Sequence, residues 1–379
     1  MTPREQARQE RKAALIARRS EVAIEKAREK AEREAQERAE AERLEARRRE
    51  TARIARVAFD AFEQVRGRLE RLRHAGSAAV ELTAPERETA AALEPLWTAS
   101  PETIAQLRRW CEPVGGARPA DYDAPSPELT VRLKRDHRVL RRQVGAELFV
   151  PEPQVLGAFG AWRDGDFYNE DTIRGFSALV ALQDGAVLDT CRRAAARRLV
   201  WDIGGGWGGF AHQFKTICPN VTYLITGMPE TFLLSAVYLM TLFPHARFRF
   251  YGDAPADDLW TGWDTTDFFF VPEGALSGVR PPRLDLVLDL ATLRFMDAAR
   301  IDGHVRRAFD WGAPYFYSLL PADAPAQEID TLWGRIARAF WPHPVPPRAE
   351  NIPPAGEGPA VPVPGVEYTH LIGWRRLRA

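Results

Sequence analysis

At 379 residues the chain exceeds the usual single-domain size, and a hydrophobic content of 45% is ample for a packed core. Lysine plus arginine and aspartate plus glutamate stand at 52 each, so no global field draws the protein to nucleic acid or to an anionic membrane. Cys111, Cys191 and Cys218 are odd in number, far apart and without CxxC or Cys/His spacing, which argues against a disulfide framework or a zinc site and for buried thiols.

The first residues run straight into charge with no apolar leader, and no later run approaches membrane-spanning length; a cytoplasmic protein without a membrane partner is expected. Residues 4–50 are dominated by Arg, Glu and Ala and lack glycine, proline and aromatics, which predicts a long helix. Glu29/Arg33, Glu34/Arg38 and Glu45/Arg49 sit four apart in the favourable order. The apolar positions are mostly alanine (Ala27, Ala31, Ala35, Ala39), too small for a strong coiled-coil seam, so a solvated helix and a weak helical dimer stand as equal expectations. The basic run Arg47 to Arg49 is interleaved with acids nearby and reads as a solvated face rather than a nucleic-acid contact.

From Ile54 the pattern changes, because Ile54, Ala58, Phe62, Val65, Leu69 and Leu72 make an apolar stripe that must dock on something. A first region is therefore drawn at 1–75. A helical region with proline- and glycine-rich connectors follows over 76–164: a helix at 86–112, a connector at 115–125, and a restart at Ser126-Pro127-Glu128, an N-cap, a first-turn proline and a dipole-complementing acid.

Residues 165–379 alternate as a doubly wound α/β domain does. Strands are predicted at 198–203, 221–226, 246–251, 284–289, 313–319 and 366–374, and helices at 207–217, 229–242, 297–309 and 327–339. An additional strand is placed at Asp267 to Pro272, and a long proline-rich loop at 342–365.

The densest signal is Leu199-Val-Trp-Asp-Ile-Gly-Gly-Gly-Trp-Gly-Gly209. A strand ends in Asp202, crosses Gly204, Gly205, Gly206, Gly208 and Gly209, and gives way to a helix. Glycines serve such a turn by permitting unusual φ values and by letting a ligand lie against the backbone. A dinucleotide site wants its ribose acid about twenty residues later, whereas a class I S-adenosylmethionine site also carries an acid just ahead of the glycines; Asp202 fits the second.

From Leu199 to about Asp253 the chain resembles a family of sugar O-methyltransferases within the class I S-adenosylmethionine-dependent enzymes. The likeness rests on Asp202-Ile203-Gly204-Gly205-Gly206-Trp207-Gly208-Gly209, Tyr223-Leu224-Ile225 and Pro229-Glu230-Thr231. It is strongest over 165–253 and absent from the first 75 residues. The resemblance implies a Rossmann-like class I methyltransferase core, a mostly parallel sheet preceded by the charged helix and the helical region. S-adenosyl-L-methionine would be the cofactor, and the hydroxyl of a sugar or glycosylated small molecule the acceptor.

For the cofactor the resemblance points to Asp202, Gly204, Gly205, Gly206, Trp207 and Gly208, with Trp207 either walling the ligand or packing in the core. Two positions depart from the family pattern: Gly227 stands where a ribose-binding acid is usual, and Phe295 where an acid closes the fourth-strand segment. Glu230 either reaches the ribose or complements its helix dipole. Asp253 either accepts from the adenine amine or closes an Asx turn. Asp289, at the end of the fourth core strand, is the expected base for a sugar hydroxyl, with His212 as a second catalytic candidate. Asn169, Arg174 and His370 are expected on the substrate side, with His370 also a further base candidate. A catalytically silent fold that uses the N-terminal helix as a partner-binding or homodimerising arm is the alternative.

Overall fold

A computed structural model of the chain describes residues 3–76, 80–144, 146–163, 165–321, 324–345 and 368–377. The chain falls into two compact units, Met1–Ile54 and Ala55–Ala379. This differs from the division at 75 and 164, and the reason lies in the apolar stripe: Ala58, Phe62, Val65, Leu69 and Leu72 are all buried within the larger unit. Helix α1 is assigned over Pro3–His74. In its first 54 residues the expected Arg49–Glu45 pair forms at 2.6 Å, beside Lys30–Glu34 and Arg33–Glu37 at 3.8 and 3.4 Å. Such exposed pairs contribute a few tenths of a kcal/mol each, roughly, so propensity carries this stretch.

In the larger unit α1 is followed by α2 (Ala84–Leu93), α3 (Pro101–Ile104), α4 (Ala120–Asp123) and α5 (Pro127–Val144), and then by a hairpin of β1 (Ala161–Arg163) and β2 (Asp166–Tyr168). Thr83 and Glu86 form a capping box at the start of α2. Next come α6 (Glu170–Asp184), α7 (Leu188–Arg192), β3 (Arg198–Ile203), α8 (Gly209–Ile217), β4 (Val221–Gly227), α9 (Pro229–Leu242), β5 (Phe248–Phe250), β6 (Phe268–Pro272), β7 (Leu286–Leu290), α10 (Ala298–Asp310), β8 (Tyr315–Pro321), α11 (Ala326–Ile336), β9 (Phe340–Val345) and β10 (Tyr368–Arg375).

Eight strands form one sheet in the order β5-β6-β4-β3-β7-β8-β10-β9. All pairs are parallel except those of β10, which runs antiparallel to both β8 and β9. Alternate residues serve the two faces. Leu199, Trp201 and Ile203 of β3 join Val305 and Ala308 of α10 and Leu332 and Ile336 of α11 in one core cluster. On the other face Phe214 of α8 meets Tyr223 at 5.8 Å, and Phe232 of α9 meets Phe270 at 5.2 Å. Helices on both faces of a mostly parallel sheet make a Rossmann-like core, the architecture that the resemblance implies.

The strand order corrects two expectations. Residues 268–272 are not an addition to the scheme: β6 pairs directly with β4, and β5 is the edge strand beyond it. The proline-rich loop was placed from 342, but 340–345 form edge strand β9, with Pro342 and Pro344 opposite Gly373 and Leu371. An edge strand is where a sheet tolerates proline. The rest of that loop, 346–365, lies outside the described residues.

The chain leaves β3 in one direction toward β4 and β6, and in the other toward β7 and β8. Such a reversal opens a crevice at the carboxyl ends of the strands beside it, which is where ligands bind in open α/β sheets.

Candidate functional site

The turn after β3 is built by glycine in the left-handed region. Gly204 (φ +90°), Gly205 (+59°), Gly206 (+48°) and Gly208 (+91°) all adopt positive φ. A Cβ on Gly204 would fall 2.3 Å from Thr292 Oγ1, and one on Gly205 would fall 2.4 Å from Ile225 Cγ2. A Cβ on Gly206 would meet only the Val114 carbonyl oxygen, at 3.5 Å, an ordinary van der Waals contact, and Gly206 borders a ligand-sized space.

Two hollows flank the turn. The larger, about 560 Å³, lies over the carboxyl ends of β3, β4, β6 and β7 and is lined there by Gly204, Gly206, Gly227, Met228, Glu273 and Leu290. Its far walls are α2 and the segment Pro113 to Gly115. The smaller, about 80 Å³, is lined by Asp202, Gly205, Gly206, Trp207 and Asp171 among others. Val114, Gly115, Arg174, Gly206, Leu290 and Thr292 border both. A cavity of this size, apolar on Met228, Leu290, Phe295 and Met296 and charged at Glu86, Glu88, Arg174, Glu273 and Arg294, matches a small-molecule site.

Asp202 is buried and accepts a 2.8 Å hydrogen bond from the Tyr223 hydroxyl. Burial, with Asp289 adding repulsion, pushes its carboxyl up to about 7 against the Tyr223 and Gly205 hydrogen bonds. Trp207 does not plug the larger hollow. Its ring lies 3.8 Å from the Arg108 guanidinium and meets Tyr238 edge-on at 4.9 Å, and it walls only the smaller hollow. Arg174 donates to the Gly115 carbonyl at 2.7 Å and pairs with Asp171. Asp171 also binds Arg108 at 2.5 Å and accepts from the Ala117 amide at 2.9 Å, so a buried ion network fixes the 115–117 wall to α6.

Several expected site residues lie elsewhere. Asp289 is fully buried: one oxygen accepts from the Thr292 and Leu293 amides at 2.9 and 3.0 Å, and the other from Ser318 at 2.8 Å. Burial raises its carboxyl to about 6. It holds the turn through Ala291, whose φ of +65° is strained for a side-chain-bearing residue, and lines neither hollow. His212 packs against Tyr238 and Phe243, and burial lowers its imidazole to about 4. His370 is clamped between the Ser177 and Tyr317 hydroxyls at 2.9 and 2.8 Å, and is likewise lowered to about 4 by burial. Neither histidine borders a hollow.

Asn169 caps α6, accepting from the Thr172 amide at 3.1 Å while its own amide donates to Glu152 and the Phe159 carbonyl. It is wholly buried and has no substrate face. Gly208 packs α8 on α9, since a Cβ there would stand 3.1 Å from Ser235. Glu230 lines neither hollow. Asp253 accepts from the Phe250 amide, three residues back, at 3.0 Å, pairs with Arg68 at 3.0 Å and lines neither hollow; the backward bond closes its own turn but is not the forward bond of an Asx turn.

One acid that follows a core strand and lines the cavity is not among the expected site residues. The strand in third place is β6, so the acid following it is Glu273, which lines the larger hollow. The signal was Pro272-Glu273-Gly274 closing an apolar run. Burial opposes its ionisation, but hydrogen bonds from His304 and Arg300 outweigh that and hold the carboxyl down at about 2.

No protein-family model and no curated protein matches the chain. Several solved structures do. Human N-acetylserotonin methyltransferase in complex with SAM aligns at 11% identity over 76% of this chain and 70% of its own, with a TM-score of 0.33. The N-methyltransferase NodS from Bradyrhizobium japonicum WM9 in complex with S-adenosyl-L-homocysteine aligns at 10% identity over 51% and 85%, TM-score 0.32. The pyocyanin biosynthetic protein PhzM aligns at 14% identity over 52% of this chain and 57% of that one, TM-score 0.31. Likenesses this faint carry no weight for what this chain binds or does; its fold rests on its own strand order.

Among the described residues no group of three or more His, Cys, Asp or Glu is placed to hold a metal ion. No described helix is long and apolar enough to cross a membrane. Cys111, Cys191 and Cys218 are buried and free.

Proposed function

We propose that the chain is an S-adenosylmethionine-dependent methyltransferase acting on a hydroxyl of a sugar or glycosylated small molecule. The observation that carries the reading is a glycine turn, with Gly204 and Gly206 along one wall of a cavity of about 560 Å³ at the sheet's switch point and no side chain at Gly206 to fill it. The residues present suit the cofactor: glycines admit it, Met228, Phe295 and Met296 offer apolar walls, and carboxylates stand at Glu86 and Glu273. Arg174 gives a cation for an anionic end of the ligand beside the glycine turn. When bound, this cofactor supplies a methyl group on an electrophilic sulfonium.

The chain's own contribution is positioning. Asp289, His212 and His370 are held away from the cavity, so the reading assigns the acceleration to alignment and to exclusion of water by α2 and the 113–115 segment rather than to a dedicated base. Incubation with methyl-labelled S-adenosylmethionine and a panel of sugars and glycosides tests it, and label on an acceptor oxygen is the expected outcome.

A second reading keeps the fold and drops the chemistry: an interaction module whose Met1–Ile54 segment serves a protein partner or a second copy. It is favoured by Asp289, His212 and His370 lining neither hollow. Cofactor binding without transfer to any acceptor selects this reading.

A further inference from the structure

The expected ribose-binding acid is absent at Gly227, and the site has little room for one there. A Cβ on Gly227 would stand 3.0 Å from the Gly204 carbonyl oxygen. Gly227 pairs with Pro272 across the β4–β6 ladder, so Glu273 stands one residue beyond that partner, on a strand about 4.8 Å away. Its side chain enters the same cavity as Gly227, and Glu86 of α2 enters it from the opposite wall.

Arg300 ties the two carboxylates together. Its Nη2 donates to Glu86 Oε1 at 2.8 Å and to Glu273 Oε2 at 2.5 Å. Its Nη1 donates to Glu86 Oε2 at 2.6 Å, and its Nε to Glu273 Oε1 at 2.8 Å. A carboxylate offers about four acceptor sites, about two on each oxygen. Glu86 Oε2 already serves the capping box, taking the Thr83 amide at 2.8 Å and its hydroxyl at 3.0 Å, and Glu273 Oε1 also faces His304 Nε2 at 3.1 Å. Glu86 Oε1 and Glu273 Oε2 are left with one bond each, both to the same nitrogen, and therefore lie close together with one acceptor site apiece unused. A latch for α2 alone would need only one of these carboxylates to face Arg300.

We propose that Glu86 Oε1 and Glu273 Oε2, spaced by Arg300, accept the two vicinal hydroxyls of the cofactor's ribose, one each, in place of the single acid that the second strand lacks. This rests on the cofactor reading above. Glu273, held down by Arg300 and His304, is an ionised acceptor across the neutral range. Arg300 is a positioning residue, since it sets the spacing of the two oxygens.

Calorimetry on the full chain with three ligands tests the assignment: S-adenosylhomocysteine, its 2′-deoxyribose analogue, and its inosine analogue, which lacks the exocyclic amine. Wild type should bind S-adenosylhomocysteine roughly tenfold or more tighter than the deoxy analogue, the effect of one hydrogen bond to a charged group. Of Glu273→Gln and Glu86→Gln, the one that removes the acceptor of the 2′-hydroxyl should bring the affinities for those two ligands together while the inosine analogue follows the parent. If one of the two fails to fold by thermal scan, Arg300→Lys, which loosens the spacing of both oxygens, is read in its place. Equal binding of parent and deoxy analogue by wild type overturns the proposal, as does undiminished discrimination in both folded variants. Selective loss of the inosine analogue also overturns it, moving the carboxylates to the base. Absence of any S-adenosylhomocysteine binding by wild type removes the cofactor reading itself, and this assignment with it.

Discussion

The turns after β3 and β7 border the same cavity and are built by opposite means. After β3, glycines accept positive φ, packing closely on Thr292 and Ile225 at Gly204 and Gly205 and bordering the cavity without a side chain at Gly206. After β7, Ala291 is forced into positive φ, and the buried Asp289 holds it there through two backbone amides and Ser318. The comparison teaches that an acid at a strand's carboxyl end can serve its own turn as readily as a ligand, and local sequence does not distinguish the two. Glu273 shows the reverse case, an acid that reaches the cavity from a strand whose place in the sheet only the pairing reveals.

The largest expected effect breaks the comparison at Asp289. Asp289→Ala strands two buried amides and a hydroxyl, and should cost about 3 kcal/mol or more of stability in chemical denaturation. A base that served only chemistry would leave stability unchanged when truncated.

At the β3 turn, pH is the sharper probe. The Asp202 carboxyl is raised to about 7 in the folded chain, above its ordinary unfolded range near 4, so between those values the folded state holds more protons than the unfolded one. Its contribution is therefore fully present below the unfolded pKa and is lost as pH rises through about 7. Asp202→Asn keeps an acceptor for Tyr223 and lacks that titration. Relative to wild type it should gain about 1 kcal/mol or more on going from pH 5 to pH 8, read from paired denaturation curves. A constant difference across that range would contradict a buried, raised carboxyl.

The smallest effect belongs to a residue outside both turns. Asp253→Asn removes a partly exposed ion pair with Arg68 and should cost under about 1 kcal/mol, leaving affinity for S-adenosylhomocysteine unaltered. A large loss of affinity would return Asp253 to the site.

Much of the architecture was legible because its signals are local. The glycine turn, the apolar runs of β3, β4 and β7, and the proline-started α9 all fall where periodicity and capping place them. The failures were of neighbourhood. Strand β9 read as a loop because Pro342 and Pro344 are forbidden in a central strand and harmless at an edge. The regional boundary at 75 failed because the stripe from Ala58 to Leu72 packs into the larger unit. His212 and His370 read as candidate bases because a sequence shows a histidine's chemistry and not the aromatic rings or hydroxyls that enclose it.

The central claim is that the cavity bordered by Gly206 receives the cofactor. Calorimetric titration of S-adenosylhomocysteine into wild type and into Gly206→Leu tests it most directly, because Gly206 lines the cavity and a Cβ there, at a φ of +48°, would meet only the Val114 carbonyl oxygen at 3.5 Å. The account predicts saturable one-to-one binding by wild type, weakened about tenfold or more by the leucine in a folded variant. No heat of binding by folded wild type at millimolar ligand, or equal affinity in the two proteins, would contradict it.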